Sequence, residues 1–279
     1  MNRAPWAFTW AGCLWAVACS GTGSGGEAVV SEGEDSAGVV APAGGSNSAG
    51  RGLTQGQTRQ ELLVVAETDT STTGRLYAWV RSDTEPSGAG WSQALGPVEV
   101  VFGRGGVGPK REGDGRSPEG RFPVGDAFGY GAEAPEAVRI AYRPMPPGAV
   151  CVDDAQSSLY NTIAERGARE DRFASSEPMR RDLVFGDSLY EWGVWIGYNA
   201  EGRSDPDTGQ GLGSCIFLHV WRSPDSPTAG CTAMSRHDLL RLLAWLDPSA
   251  SPVVVQGRRA YLERLHEEGQ LDYFVPQPQ

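Results

Sequence analysis

Gly213-Ser214-Cys215-Ile216-Phe217-Leu218-His219, followed by Thr228-Ala229-Gly230-Cys231-Thr232, is the pair of stretches on which this sequence turns. The first has the apolar run of a buried strand that carries a histidine to its end. The second is a glycine-led tight turn presenting a cysteine. A helix pattern follows at once: Ser235, with Asp238 three residues on, caps the leucine series Leu239, Leu240, Leu242, Leu243 and Leu246. A histidine, a turn, a cysteine and a helix start can together build an activated thiolate.

Outward from that centre, strand signals dominate. Glu61 to Glu67 is a continuous apolar run, and Gly74 to Arg81 alternates as its hairpin partner. Further strands are expected at Val98–Phe102, Arg121–Val124, Tyr190–Tyr198 and Pro252–Gln256. Helices are expected from Ser235 to about Asp247-Pro248 and from Arg258 to Glu268. The glycine-rich stretch Gly103 to Gly108 opens no helix, so it lacks the context of a nucleotide-phosphate loop. Lys110 to Gly120 is a long polar loop. The adjacent carboxylates Asp153 and Asp154 point opposite ways on an extended chain and are better suited to turns or caps than to one shared proton or metal.

At a net charge of −11, the chain does not suit nucleic acid or a polybasic membrane contact. The apolar run from Ala4 to Ala18 is too short to span a bilayer comfortably and fits a secretory leader over residues 1–18. It ends Ala16-Val17-Ala18-Cys19-Ser20, similar to a lipobox whose cysteine becomes the lipidated N-terminus; an ordinary cleaved signal is the alternative. Residues 19–60, rich in Gly, Ser, Ala and Thr, have the composition of a disordered tether, with an r.m.s. span of about 35 Å. The folded domain is expected over residues 61–279.

Cys151, Cys215 and Cys231 remain for that domain, and within a monomer at least one of them must stay unpaired. A zinc site of these cysteines with His219 is the rival reading. On a straight strand Cys215 and His219 would lie about 13 Å apart, too far for ligands at about 2.0–2.3 Å from one metal. A nucleophile fits better: His219 takes the proton of Cys231, giving an imidazolium–thiolate pair. Backbone N–H groups around Gly230 to Thr232 then hold an oxyanion, and the coming helix N-terminus adds stabilisation if it points at the sulfur. His237 and His266 fall on helix surfaces.

His219, an eleven-residue gap and Gly230-Cys231 resemble the catalytic signature of the L,D-transpeptidase (YkuD-like) domain. Lys110-Arg111-Glu112-Gly113-Asp114-Gly115-Arg116-Ser117-Pro118-Glu119-Gly120-Arg121-Phe122 is similar to a second motif of that family, and Cys151-Val152-Asp153-Asp154 with Tyr160-Asn161 to a third. The resemblance covers roughly residues 61–257. It implies a mostly-β sandwich or barrel with a few peripheral helices. It implies Cys231 as nucleophile, His219 as base, and Thr228, Gly230 and Thr232 around the oxyanion and substrate. The implied reaction is acyl transfer on peptidoglycan stem peptides through a thioester, without metal or organic cofactor. A monomer is expected, in the periplasm, and the residues around Cys19 and Ser20 place its lipid anchor at the outer membrane. Two positions depart from the pattern, Ala229 and Ala233, where many members carry a second histidine and an Arg or Asn. A peptidoglycan L,D-carboxypeptidase or hydrolase, or a catalytically idle wall-binding lipoprotein, therefore stands as the alternative. A Cys151–Cys215 disulfide is expected from the exported setting, against two separate buried thiols.

Overall fold

A computed structural model describes residues 58–82, 90–167 and 172–278. The expected leader, Cys19 and the tether up to residue 57 lie outside the described residues.

The architecture is mostly β. The strands are β1 (Gln60–Ala66), β2 (Thr73–Arg81), β3 (Trp91–Val101), β4 (Val107–Gly108), β5 (Ser117–Pro118), β6 (Gly120–Gly129) and β7 (Tyr142–Pro144). They continue with β8 (Ala149–Val152), β9 (Ile163–Glu165), β10 (Ser176–Pro178), β11 (Trp192–Ile196), β12 (Phe217–Val220), β13 (Thr232–Met234) and β14 (Val253–Arg258). Three short helices accompany them: α1 (Arg181–Val184), α2 (Arg236–Trp245) and α3 (Arg259–Glu267). The main sheet runs β11-β12-β13-β3-β2-β1-β14-β6-β7, and β11 also pairs with β6. That last pairing closes the sheet into a barrel, with β7 outside the ring, and removes the open edges a flat sheet would expose.

Strand alternation sorts the side chains. Leu62, Val64 and Ala66 of β1 join Leu218 and Val220 of β12, and the α2 residues Leu239, Leu242, Leu243 and Leu246, in the largest apolar cluster. Leu63 and Val65 face the other way, under Leu262 and Leu265 of α3 and Tyr273 of the tail. Both faces are covered, which is why β1 is a continuous apolar run. Even Glu61 is buried within it, paired with the Arg121 guanidinium and accepting from the Tyr273 hydroxyl at 2.8 Å. On β12, Phe217 faces outward into a further cluster with Cys151, Ile163, Tyr190, Trp195, Cys215 and Cys231. The small sheet β10-β8-β9 contributes to that cover.

Several elements differ from expectation. β3 starts at Trp91 rather than Val98, its alternation masked by Gly96-Pro97, and β6 extends to Gly129 rather than ending at Val124. The aromatic strand β11 is confined to Trp192–Ile196. β12 begins only at Phe217, because Gly213 (φ +114°) and Cys215 (φ +56°) are left-handed and break the expected strand. β13 intervenes between Cys231 and α2.

Candidate active site

Cys231 and His219 share one outward-facing side of the β12–β13 pair. These strands run parallel with Leu218 opposite Thr232 and His219 opposite Ala233. The residue before Thr232 therefore falls beside Phe217, two positions from His219 and on its face. Both side chains line a cavity of about 380 Å³, whose walls include Lys110, Asp153, Glu177, Arg181, Tyr190, Thr228 and Gly230. Leu189, Ile216, Trp221 and Pro227 share the walls with these charged and polar groups, so the cavity can take both the charged and the apolar parts of a substrate.

The cysteine is held by its backbone. Its carbonyl accepts from two hydroxyls, Thr228 Oγ1 at 2.6 Å and Ser117 Oγ at 2.9 Å. Ser117 Oγ also accepts from the Gly103 N–H at 2.9 Å. The thiol donates to the Cys215 carbonyl at 3.2 Å and accepts from the Phe217 N–H at 3.4 Å. Cys231 is a free, buried cysteine. Cys215 is bonded to Cys151, with a Cα separation of 6.1 Å, so the expected disulfide is present. It takes two of the sulfurs that the zinc alternative needed.

His219 is oriented by Val220, the residue that follows it: Nδ1 lies 2.8 Å from the Val220 carbonyl oxygen. A carbonyl only accepts, so Nδ1 carries the proton and Nε2 is the basic nitrogen. Tyr190 stands edge-on to the imidazole, ring centroids 5.1 Å apart. Burial holds the imidazole at about 4, against an ordinary 6.5, although the Val220 and Leu189 carbonyls favour its charged form. Burial likewise pushes the Cys231 thiol up to about 12, with the Glu177 carboxylate adding to the rise. The resting pair is thus neutral thiol and neutral imidazole, a correction to the expected imidazolium–thiolate. At the thiol, desolvation outweighs the nearby Lys110 and Arg181 cations; at the imidazole, Arg181 acts in the same direction as desolvation.

Three further expectations change. Thr232 does not line the cavity: it is buried in β13 and its hydroxyl donates to Gln256 Oε1 at 2.6 Å. Its role is to latch β13 to β14. The Gly230 N–H is taken by Thr228 Oγ1 at 3.0 Å and is not free for an oxyanion. Helix α2 begins a strand-length beyond Cys231, and the Ser235 hydroxyl at its start accepts from the Asp238 N–H at 3.0 Å. The sulfur's own partners are Phe217 and Cys215, not this helix end.

The polar loop and the third motif turn out to build the floor. Glu112 accepts from Tyr160 OH at 2.5 Å and Ser214 Oγ at 2.6 Å. Tyr160 OH in turn accepts from the Gly213 N–H at 2.9 Å, and Asn161 Oδ1 from the Cys215 N–H at 2.8 Å. Asp154 is a turn residue, accepting from the Gln156 and Ala174 N–H groups. Asp153 lines the cavity instead. Ser117, Glu112 and Asn161 lie in the family-like motifs, but nothing in the local sequence assigns these roles.

A family model described as YkuD, L,D-transpeptidase catalytic domain, matches residues 65–255. The match covers more than half of the chain and runs from β1 into β14, with His219 and Cys231 inside it. No curated protein and no solved structure matches the chain.

Proposed function

The chain belongs to the L,D-transpeptidase catalytic-domain family, and from that premise we propose that Cys231 is its nucleophile and His219 its base, acting on peptidoglycan stem peptides. One observation carries the assignment: the free thiol Cys231 shares a cavity with an imidazole whose Nδ1–H is fixed on a backbone carbonyl.

The resting S–H points at the Cys215 carbonyl. Rotation about the Cβ–Sγ bond turns its proton toward His219 Nε2. The proton leaves as sulfur attacks the carbonyl ahead of the terminal D-residue, so charge separates only when a substrate covers the cavity. The tetrahedral intermediate collapses, Nε2 returns the proton to the departing amine, and the terminal D-amino acid leaves. An acceptor amine, or water, then resolves the thioester by the same proton route. Ala233 is fully buried beside His219, whereas Ala229 lines the cavity, so of the two departures only the one at 229 can meet a bound substrate.

Purified protein incubated with tetrapeptide muropeptides tests this reading. Crosslinked dimers mean transfer, and trimmed monomers mean the carboxypeptidase reading. Unchanged muropeptides mean an idle wall-binding protein. Intact-mass analysis after carbapenem treatment should place the adduct on Cys231; a protein acylated elsewhere loses the assignment.

The site of action proposed is the periplasm, with the mature chain lipidated at Cys19 and tethered by residues 19–60. The support is the Ala16-Val17-Ala18-Cys19 sequence after an apolar run. Labelled palmitate should mark wild type and not Cys19→Ala.

A further inference from the structure

Lys110 is the only lysine among the chain's 24 lysine and arginine residues. It is also buried, with 5% of its surface exposed. Its stem threads between two left-handed glycines. A Cβ on Gly213 (φ +114°) would lie 2.8 Å from Lys110 Cε, and one on Gly230 (φ +148°) 2.8 Å from Nζ and 2.9 Å from the Arg116 carbonyl oxygen. These two positions therefore exclude side chains because the lysine occupies the space. Nζ donates to Asp114 Oδ1 at 3.2 Å and to the Arg116 carbonyl at 2.9 Å. An ammonium has three N–H donors, so one remains, and Lys110 lines the same cavity as Cys231.

We propose that Lys110 is a catalytic residue of this site: its third N–H binds the negative charge that develops on the substrate carbonyl oxygen when Cys231 attacks. The inference rests on the nucleophile assignment above and supplies a part that assignment lacks. The Gly230 N–H is spent on Thr228 Oγ1, so this amide cannot stabilise the oxyanion, and the ammonium beside it can. In the step, the Sγ–C bond forms and the carbonyl π pair moves onto oxygen, where it meets the Lys110 N–H. When the pair returns, the C–N bond breaks, and the leaving nitrogen takes its proton from His219. Lys110 gives up no proton and is unchanged at the end. Its charge also favours the Cys231 thiolate over the thiol, so attack and intermediate are assisted by one group.

The test is Lys110→Met, which keeps the stem. Asp114 retains two backbone donors, the N–H groups of Arg111 at 2.6 Å and Arg116 at 2.8 Å, so its carboxylate is not stranded. Two reactions of Cys231 are compared. Carbapenem acylation builds an oxyanion; alkylation by iodoacetamide does not. Acylation should fall about 100-fold or more, as for loss of an oxyanion donor. Alkylation should fall less than about tenfold, the part owed to the thiolate. Equal losses in both reactions, or no loss in acylation, overturn the proposal. If the variant fails to fold, wild type carrying ¹⁵Nζ-lysine decides. Its single ammonium resonance should shift on acylation of Cys231, and an unmoved resonance overturns the assignment. A wild type that neither processes stem peptides nor takes carbapenem removes the parent reading and Lys110 together; a reactive wild type with an equally reactive Lys110→Met removes Lys110 alone.

Discussion

Two parts of the same barrel are built by opposite rules. From β2 through β1 to β14 the chain is regular. β1 keeps unbroken register from Gln60 to Ala66 with β2 and from Glu61 to Ala66 with β14. Its side chains are sorted by alternation alone. From Gly213 to Cys231 the backbone turns left-handed three times, and β12 and β13 share only the register from Leu218 to Val220. There the main-chain groups are satisfied by side chains that come from far along the chain: Tyr160, Asn161 and Ser117. Regular pairing supplies stability with interchangeable apolar residues. The irregular part fixes one carbonyl and one thiol in position, and each partner there is specific.

Four measurements would break or sharpen that contrast. The largest effect is expected for Cys231→Ser, which should lower turnover by on the order of 10⁴-fold or more. Its melting temperature should stay close to wild type, since a hydroxyl can keep the Phe217 and Cys215 contacts. Substantial residual turnover would move the nucleophile elsewhere.

Next is the cross-link that belongs to the irregular part. The Cys151–Cys215 bond spans 64 residues of sequence separation. Removing it with a Cys151→Ala, Cys215→Ala pair should cost about 4 kcal/mol in the chain-entropy picture, read from urea midpoints, and should slow acylation at Cys231 as well. Stability lost without any change in acylation would mean that the Cys215 carbonyl keeps its place without the bond.

Leu63→Ala, in the regular part and facing α3 rather than β12, should cost about 3 kcal/mol by leaving a cavity. Acylation of the folded variant should stay within about threefold of wild type, as for sites without shared partners. A large kinetic effect would show that the two parts are not separable.

The fourth is pH. His219 titrates at about 4 when folded, against an ordinary 6.5, so its folded-state value is depressed. As pH falls below the ordinary value, the unfolded chain binds the proton first. Stability is therefore lost between about 6.5 and 4, by up to about 3 kcal/mol. The acid-induced loss should be smaller in His219→Gln by that amount. Equal losses in the two proteins would show that the imidazole is not held neutral.

Much of the regular part was legible in the sequence. The apolar run at 61–67, the alternation at 74–81 and the last strand are matched by β1, β2 and β14, and the Ser235 cap by α2. Periodicity reports burial on straight elements, and these elements are straight. The ends of β3 and β6 escaped because Gly96-Pro97 interrupts one alternation and small or polar residues blur the other. In the irregular part the cysteine–histidine pairing was visible in spacing and resemblance, and the disulfide in cysteine number and setting. The protonation state was not, because desolvation depends on cover from β8 to β10, far away in sequence. Nor were the burial of Lys110 and the half-buried place of Glu112, which lie in a loop as polar as any solvated one. The one signal available for Lys110 was its solitude in a chain otherwise served by arginine.

The barrel also has a keystone, and it is the last strand made. β14 stands between β1 and β6. Its Gln256 accepts from Thr232 on β13 and donates to the Pro118 carbonyl at 2.7 Å, in the loop that carries Lys110. A chain cut short before Val253 would contain the cysteine, the histidine and the lysine, yet lack the strand that joins β1 to β6 and ties β13 to the lysine's loop. A broken message or a clipped C-terminus would thus yield an inert fragment rather than a half-controlled acylating thiol.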